Sequence, residues 1–346
     1  MLRTNVGTNR EHSMRFIFTV LSLGIAAPLA AQGSYQITHT YALGGNGGWD
    51  YLVPDPSTHR VYIGRSDRVL VVDETTGKLV GQVMGINGAH GTAVVDRAGR
   101  GFATSGSDSS IVMFDLATFK PLGKIHAAED ADAIIYDPAS NRVFSFNGDA
   151  HSSTVVDPDA GTLVTNIPLG GKPEYGVSAG DGKVYVNLTD EAEIVEIDTK
   201  TLTVTRRWPT NGCRNPVAMA IDTQHQRLFS GCRSGVMAVS DYRAGKVVST
   251  APIGSGVDGA GFDPVSGNAF ASGADGTLTV IHQDTPDRYH VVQTLQTMPG
   301  SRNMGLDPSL HAIFLSGAKF EPQVPGARGR PKIIDGSYVL LEVERR

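Results

Sequence analysis

Residues 50–73 read Asp-Tyr-Leu-Val-Pro-Asp-Pro-Ser-Thr-His-Arg-Val-Tyr-Ile-Gly-Arg-Ser-Asp-Arg-Val-Leu-Val-Val-Asp. Three short apolar runs, 51–53, 61–63 and 69–72, alternate with turn-forming residues, and the last run closes on Asp73. Runs this short, rich in β-branched and aromatic residues and bounded by Asp, Pro, Ser and Gly, are strands. The pattern then recurs. An aromatic in the second strand falls at Tyr62, Phe102, Phe144, Tyr185, Phe229, Phe270 and Phe314, at intervals of 40, 42, 41, 44, 41 and 44 residues. A strand-only repeat of this length cannot bury its faces alone and must stack on its neighbours, as in a β-propeller. The expected fold is therefore an all-β, seven-bladed propeller with four-stranded blades.

The last repeat runs out of chain after its third strand. Tyr35 to Ala42 has strand composition and precedes the first complete repeat. It is expected to supply the missing outer strand, closing the ring and removing an exposed sheet edge. Residues 35–346 then form one domain. The 41 Gly and 18 Pro serve the turns, and 40% apolar with 19% charged residues indicates a globular chain.

Residues 1–31 read as an extension followed by an export signal. Met14-Arg15 is the basic start, 16–29 the apolar run, and Ala30-Ala31 the small residues before a cut. The run is short for a bilayer span and holds Ser22, Gly24 and Pro28, so stable membrane insertion is not expected. A periplasmic or secreted monomer cleaved near Ala31 is the expectation. Loss of Arg3, Arg10, Arg15 and Glu11 would move the formal charge from −5 to −7. That balance disfavours nucleic acid, whose phosphates need a concentrated basic face.

Inner strands of a propeller all run in one direction, so their starts share one face, here called the upper face. Aligning those starts yields Asp50, His90, Asp132, Glu174, Arg214 with Asn215, Asp258, and Arg302 with Asn303. Tyr175 adjoins Glu174. This is more charge than a solvated rim requires. His90, Asp132, Glu174 and Asp258 have the donor types for a divalent metal, Ca²⁺, Mn²⁺ or Zn²⁺. Alternatively, His90, Asp132 and Glu174 act as acid/base groups while Arg302 anchors an anion, the others contributing ligand contacts. A third reading is an Arg–carboxylate network that neutralises itself and plugs the channel.

Other polar residues read as structural. His59, His225 and His311 share a lower turn facing solvent, and Asp73, Asp115, Asp157, Asp198 and Asp241 close third strands by bonding their own backbone. His151 falls on an upper loop, and His282 and His290 on a lower turn. No nucleophile elbow, phosphate loop or His-Glu-Xaa-Xaa-His motif is present. Cys213 precedes the fifth inner strand and Cys232 ends the next strand. The map places both at the top of one blade, where an exported protein would bridge them; a metal pair is the alternative. The insertion at 318–336, with Lys319, Arg328, Arg330 and Lys332, should emerge beside the ring as a lid or binding loop.

Val61-Tyr62-Ile63-Gly64, Pro173-Glu174-Tyr175, Val184-Tyr185-Val186-Asn187, Ser230-Gly231-Cys232, Gly256-Val257-Asp258 and Asp307-Pro308-Ser309-Leu310-His311 resemble the YVTN-repeat propellers, specifically the exported YncE-like proteins of bacteria. The resemblance spans residues 40–346. It implies a seven-bladed propeller, often periplasmic, in a family whose members mostly lack an assigned activity and of which one branch binds single-stranded DNA. Relatives more often carry acidic residues where this chain has Arg214-Asn215, which alters the charge of the ring. Two functions are thus expected. One is binding of a small polar or anionic ligand, or of a divalent metal, at the upper channel mouth, with hydrolase or lyase chemistry open. The alternative is a non-catalytic scaffold that binds a protein or polymer through the upper face and the 318–336 loop.

Overall fold

A computed structural model describes residues 1–5, 7, 33–322 and 331–346. The chain divides into two units, Met1–Gly33 and Ser34–Arg346. The export signal expected before Ala31 lies outside the described residues. Among the described residues no helix is long and apolar enough to cross a membrane.

The second unit is all β. β1 (Tyr35–Ala42) is followed by β2 (Leu52–Asp55), β3 (Arg60–Asp73), β4 (Leu79–Val95), β5 (Arg100–Ser105), β6 (Ser110–Asp115) and β7 (Pro121–His126). Next come β8 (Ala131–Asp137), β9 (Arg142–Asn147), β10 (Ser152–Asp157) and β11 (Thr162–Pro168), then β12 (Pro173–Ser178), β13 (Lys183–Leu188), β14 (Glu193–Asp198) and β15 (Thr203–Pro209). β16 (Pro216–Asp222), β17 (Arg227–Cys232), β18 (Val236–Asp241) and β19 (Lys246–Pro252) precede β20 (Val257–Asp263), β21 (Asn268–Gly273), β22 (Thr277–Thr285) and β23 (Arg288–Gln296). β24 (Met304–Asp307), β25 (Ala312–Gly317) and β26 (Val339–Arg345) complete the chain.

The expectation of seven separate four-stranded blades is corrected here. Hydrogen bonding joins the strands into six sheets, five of four strands and one of six, ordered β2-β3-β4-β5-β6-β7. The first two sequence repeats, marked by Tyr62 and Phe102, share that larger sheet. The reason is visible in the pairing. β3 bonds β2 through Arg60–Ile63 and β4 through Ser66–Val72. β4 then runs on, and its later part from Ala89 to Val95 pairs with β5. Sequence periodicity counts repeats, whereas ladders count sheets, and two repeats can share one.

The chain ends close on each other. β1 pairs antiparallel with β26 from Tyr35↔Arg345 to Ala42↔Val339, giving the order β1-β26-β25-β24. Around the axis β2, β4, β8, β12, β16, β20 and β24 touch in succession, and β24 returns to β2. All seven repeat aromatics are buried. They pack across sheets: Phe229 stacks on Phe262 of the next sheet with ring centroids 4.9 Å apart. Fully burying such a ring is worth about 3 kcal/mol.

Candidate ligand site at the upper channel mouth

Each side chain found by the alignment sits near the start of an inner strand, and the backbone there is mostly irregular. The register slips between Ala89 and Thr92, Ala131 and Ile134, Pro173 and Gly176, Pro216 and Ala218, and Val257 and Gly259. A bulge bends the strand and re-aims its side chain. In four of these five slips the displaced residues include a ring member: His90, Asp132, Glu174 or Asp258. Asp50 and Asn303 instead lie just before β2 and β24. The segment leading to Asp50 is held by Arg65, whose buried guanidinium donates to the carbonyls of Asn46, Gly47 and Gly48 and lies 3.7 Å from the Tyr338 ring centroid.

The side chains form one chain of contacts. His90 Nδ1 donates to Asp50 Oδ2 at 2.7 Å and lies 3.3 Å from Asp132 Oδ1. Asn303 Nδ2 donates to Asp50 Oδ1 at 3.2 Å and to Asp258 Oδ2 at 3.4 Å. Arg302 Nε donates to Asp258 Oδ2 at 2.6 Å. Arg233 Nη2 lies 3.3 Å from both Asp258 Oδ1 and Glu174 Oε1, carrying the chain to its end. Within this ring Tyr51 and Tyr175 pack with ring centroids 5.2 Å apart.

Burial and charge set the protonation states. Burial alone would lower the His90 pKa, but the hydrogen bond to Asp50 and the charges of Asp132 and Asp50 push it up to about 9. Burial, then the Asp50 charge, hold Asp132 well above the usual carboxylate range, although the His90 charge works against them. Burial and the Asp258 charge raise Glu174 to about 7, partly offset by Arg233. Burial holds the Tyr51 phenol far above its ordinary value, reinforced by Asp132, Glu174, Asp50 and Asp258. Tyr51 therefore remains a protonated donor among four carboxyl groups.

Beside the ring lies a cavity of about 300 Å³. Its lining combines Arg233, Asp258 and Arg302 with apolar Ala274, Pro299, Phe320 and Pro331. Among the described residues the Nη1 and Nη2 atoms of Arg302 and the Nε and Nη1 atoms of Arg233 make no hydrogen bond to protein, so both guanidinium groups retain donors. Phe320 belongs to the stem of the long insertion, which is not wholly irregular: Phe320 pairs with Ile333 in an isolated bridge. Arg328 and Arg330 lie outside the described residues.

The structure thus brings together Asp50, His90, Asp132, Glu174, Asp258, Arg302 and Asn303, with Tyr175 packed inside them. It does not bring in Arg214 or Asn215. Both are exposed; the Arg214 backbone N–H donates to Ser234 Oγ, and the Asn215 amide donates to the Thr189 carbonyl at 3.4 Å. Asn215 adopts a left-handed φ of 53° before Pro216. Arg233 was not foreseen. It follows Cys232 at the upper end of β17, and alignment of inner-strand starts alone passes over that position. Cys213 and Cys232 form a buried disulfide, with Cα atoms 5.4 Å apart.

The groups read as structural are also placed. The Asp73, Asp115, Asp157, Asp198 and Asp241 carboxylates accept backbone N–H groups of their own turns. His151 is exposed and His290 bonds Asp284. His225 and His311 each face a buried carboxylate, Asp222 at 2.7 Å and Asp263 at 3.2 Å, rather than solvent alone.

Comparison with known proteins adds the fold. No protein-family model and no curated protein matches the chain. Among solved structures, it is similar to Kuenenia stuttgartiensis hydrazine synthase at 14% identity, over 80% of this chain and 94% of that one, with a TM-score of 0.66. The fold is a β-propeller. At that identity the likeness carries architecture and no activity.

Proposed function

We propose that this protein binds a small anionic ligand with an apolar portion at the upper channel mouth. The observation that carries the reading is the cavity of about 300 Å³ lined by Arg233 and Arg302 together with Phe320, Pro299 and Pro331. Its size suits a small molecule. Arg302 and Arg233 hold the anionic end through donors not used by Asp258 and Glu174, and the apolar lining takes the remainder. The flanking ring supports proton transfer. Glu174, with a pKa near 7, exchanges a proton at neutral pH, and protonated His90 can donate one. A hydrolase or lyase step on the bound anion is the chemistry these groups offer.

The Asp50, His90 and Asp132 donor atoms all lie within 4.8 Å of one another, which supports a second reading, a divalent metal replacing the imidazolium proton. The ligand reading is preferred because the His90 imidazole already bridges the two carboxyl groups, 2.7 Å from Asp50 and 3.3 Å from Asp132. The disulfide favours an oxidising compartment, in keeping with export.

A panel of small carboxylates and phosphate esters, screened by thermal shift and calorimetry, tests the ligand reading. Binding should be lost in Arg302→Met together with Arg233→Met and retained in Arg214→Ala. No binding across the panel by wild type, or equal binding by the double variant, would remove the reading. Turnover of bound esters, abolished in Glu174→Gln, would separate an enzyme from a binding protein.

A further inference from the structure

At the opposite ends of the same strands lies a second cluster with different chemistry. Glu74 directly follows β3, His59 sits in the turn between β2 and β3, and Asp307 ends β24. Glu74 is only 1% exposed, and its carboxyl group has no partner other than the carboxyl group of Asp307. Asp307 is fully buried. Its Oδ1 accepts from Ser309, but its Oδ2 has no partner outside the Glu74 carboxyl group. His59 Nδ1 lies 3.8 Å from Glu74 Oε2, and one donor atom from each of the three residues falls within 4.8 Å of the others. No lysine or arginine pairs with Glu74 or Asp307 among the described residues.

The position is distinctive among the repeats. The residue after the third strand's closing Asp donates its N–H to the turn of the preceding hairpin: Glu74 to His59, Leu116 to Gly99, Thr199 to Gly182, Tyr242 to Gln226. Elsewhere that residue is apolar or neutral. Only here, among these four, is it a carboxylate, and it faces a second one across the seam where the first sheet meets the last. Two adjoining buried carboxyl groups with no other donor must hold a proton or a cation between them.

We propose that Glu74, Asp307 and His59 form a divalent-cation site that joins the first and last sheets on the lower side of the ring. One imidazole nitrogen with two carboxylates suits Zn²⁺ or Mn²⁺ rather than Ca²⁺. Glu74 can bind through one or both oxygens and Asp307 through Oδ2, while Asp307 Oδ1 continues to hold its turn. His59, half exposed, is the ligand on the solvent side, by which the cation enters. The cation's role is structural: it pins the seam that β1 and β26 close elsewhere.

The test uses the purified full chain after chelator treatment, titrated with Zn²⁺ and with Mn²⁺ by calorimetry and thermal melting. One equivalent of one of these ions should bind and raise the melting temperature. Affinity should fall at least ~10-fold in Glu74→Gln and in His59→Ala, as expected when metal coordination is impaired. His59→Ala alters an exposed turn residue and keeps the test valid if the Glu74 variant folds poorly. Asp132→Asn, in the upper cluster, should leave this binding unchanged. Absence of binding in wild type, undiminished binding in His59→Ala, or loss of binding in Asp132→Asn alone would each overturn the site. A shared proton in place of the cation would show as a metal-independent melting temperature.

Discussion

The upper ring and the lower seam use the same residue types, His with Asp and Glu, yet differ in what surrounds them. At the upper mouth each carboxylate has a cation or amide partner. His90 faces Asp50 and Asp132, Arg302 and Arg233 face Asp258, and Arg233 also reaches Glu174. At the seam, Glu74 and Asp307 are more deeply buried and have only half-exposed His59 nearby. Burial, then the neighbouring Asp307, push Glu74 up to about 9. Paired charges in a partly open mouth can be rearranged by a ligand. Adjoining carboxyl groups in a closed seam must instead hold a proton or a cation between them.

The largest effect should come from unbalancing the upper ring. His90→Leu leaves Asp50 and Asp132 facing each other without a cation and should cost about 3 kcal/mol, measured by urea unfolding at pH 7. If stability is unchanged, the ring is not held by charge pairing. The pH profile sharpens this. The folded pKa of His90 is about 9, raised above its ordinary 6.5. Its contribution is therefore complete below about pH 6.5 and disappears as pH rises through 9. Wild type should lose stability over that window relative to His90→Gln, and parallel profiles would count against a charged imidazole.

Reducing the Cys213–Cys232 bond should cost about 3 kcal/mol in the chain-entropy model, given a separation of 19 residues. Thermal melts with and without reductant, checked by alkylation and mass, give the value. Ligand binding should weaken as well, because Arg233 directly follows Cys232, whereas Arg214 and Asn215 beside Cys213 lie outside the ring. Unchanged binding on reduction would show that the bond does not position Arg233.

A smaller effect of opposite sign is expected at the seam. Without metal, Glu74 stays protonated in the fold while the unfolded chain ionises from about pH 4.5, so stability falls as pH rises from there towards 9. Glu74→Gln should then stabilise the chelated protein at pH 8 by about 1 kcal/mol. With Zn²⁺ or Mn²⁺ added the order should reverse. The smallest effect should be Arg214→Ala, within about 0.5 kcal/mol in stability and with no change in ligand binding, as for an exposed side chain.

Much of the architecture could be read before any coordinates. Spacing of Tyr62, Phe102 and their counterparts identified a strand repeat, because each aromatic must be buried against a neighbouring sheet. The positions of Cys213 and Cys232 around one hairpin placed them side by side, and there they bond. Alignment of inner-strand starts found His90, Asp132, Glu174 and Asp258, since the repeat carries each to the same face. The Arg214–Asn215 pair shared that alignment but not the contacts, for both residues are exposed and bond to Ser234 and Thr189 instead.

Sequence alone therefore determined a β-propeller and the face on which its polar residues gather, because both follow from periodicity. Tertiary structure decided the rest. It merged two repeats into one six-stranded sheet, since hydrogen bonds form between backbones irrespective of repeat boundaries. It brought Arg233 to Glu174 and Asp258 from a strand end outside the aligned positions. It set Glu74 against Asp307, 233 positions apart in the sequence, a contact created only by ring closure. Local pattern fixes which way a strand begins; what a buried charge meets depends on the neighbour that closure places beside it.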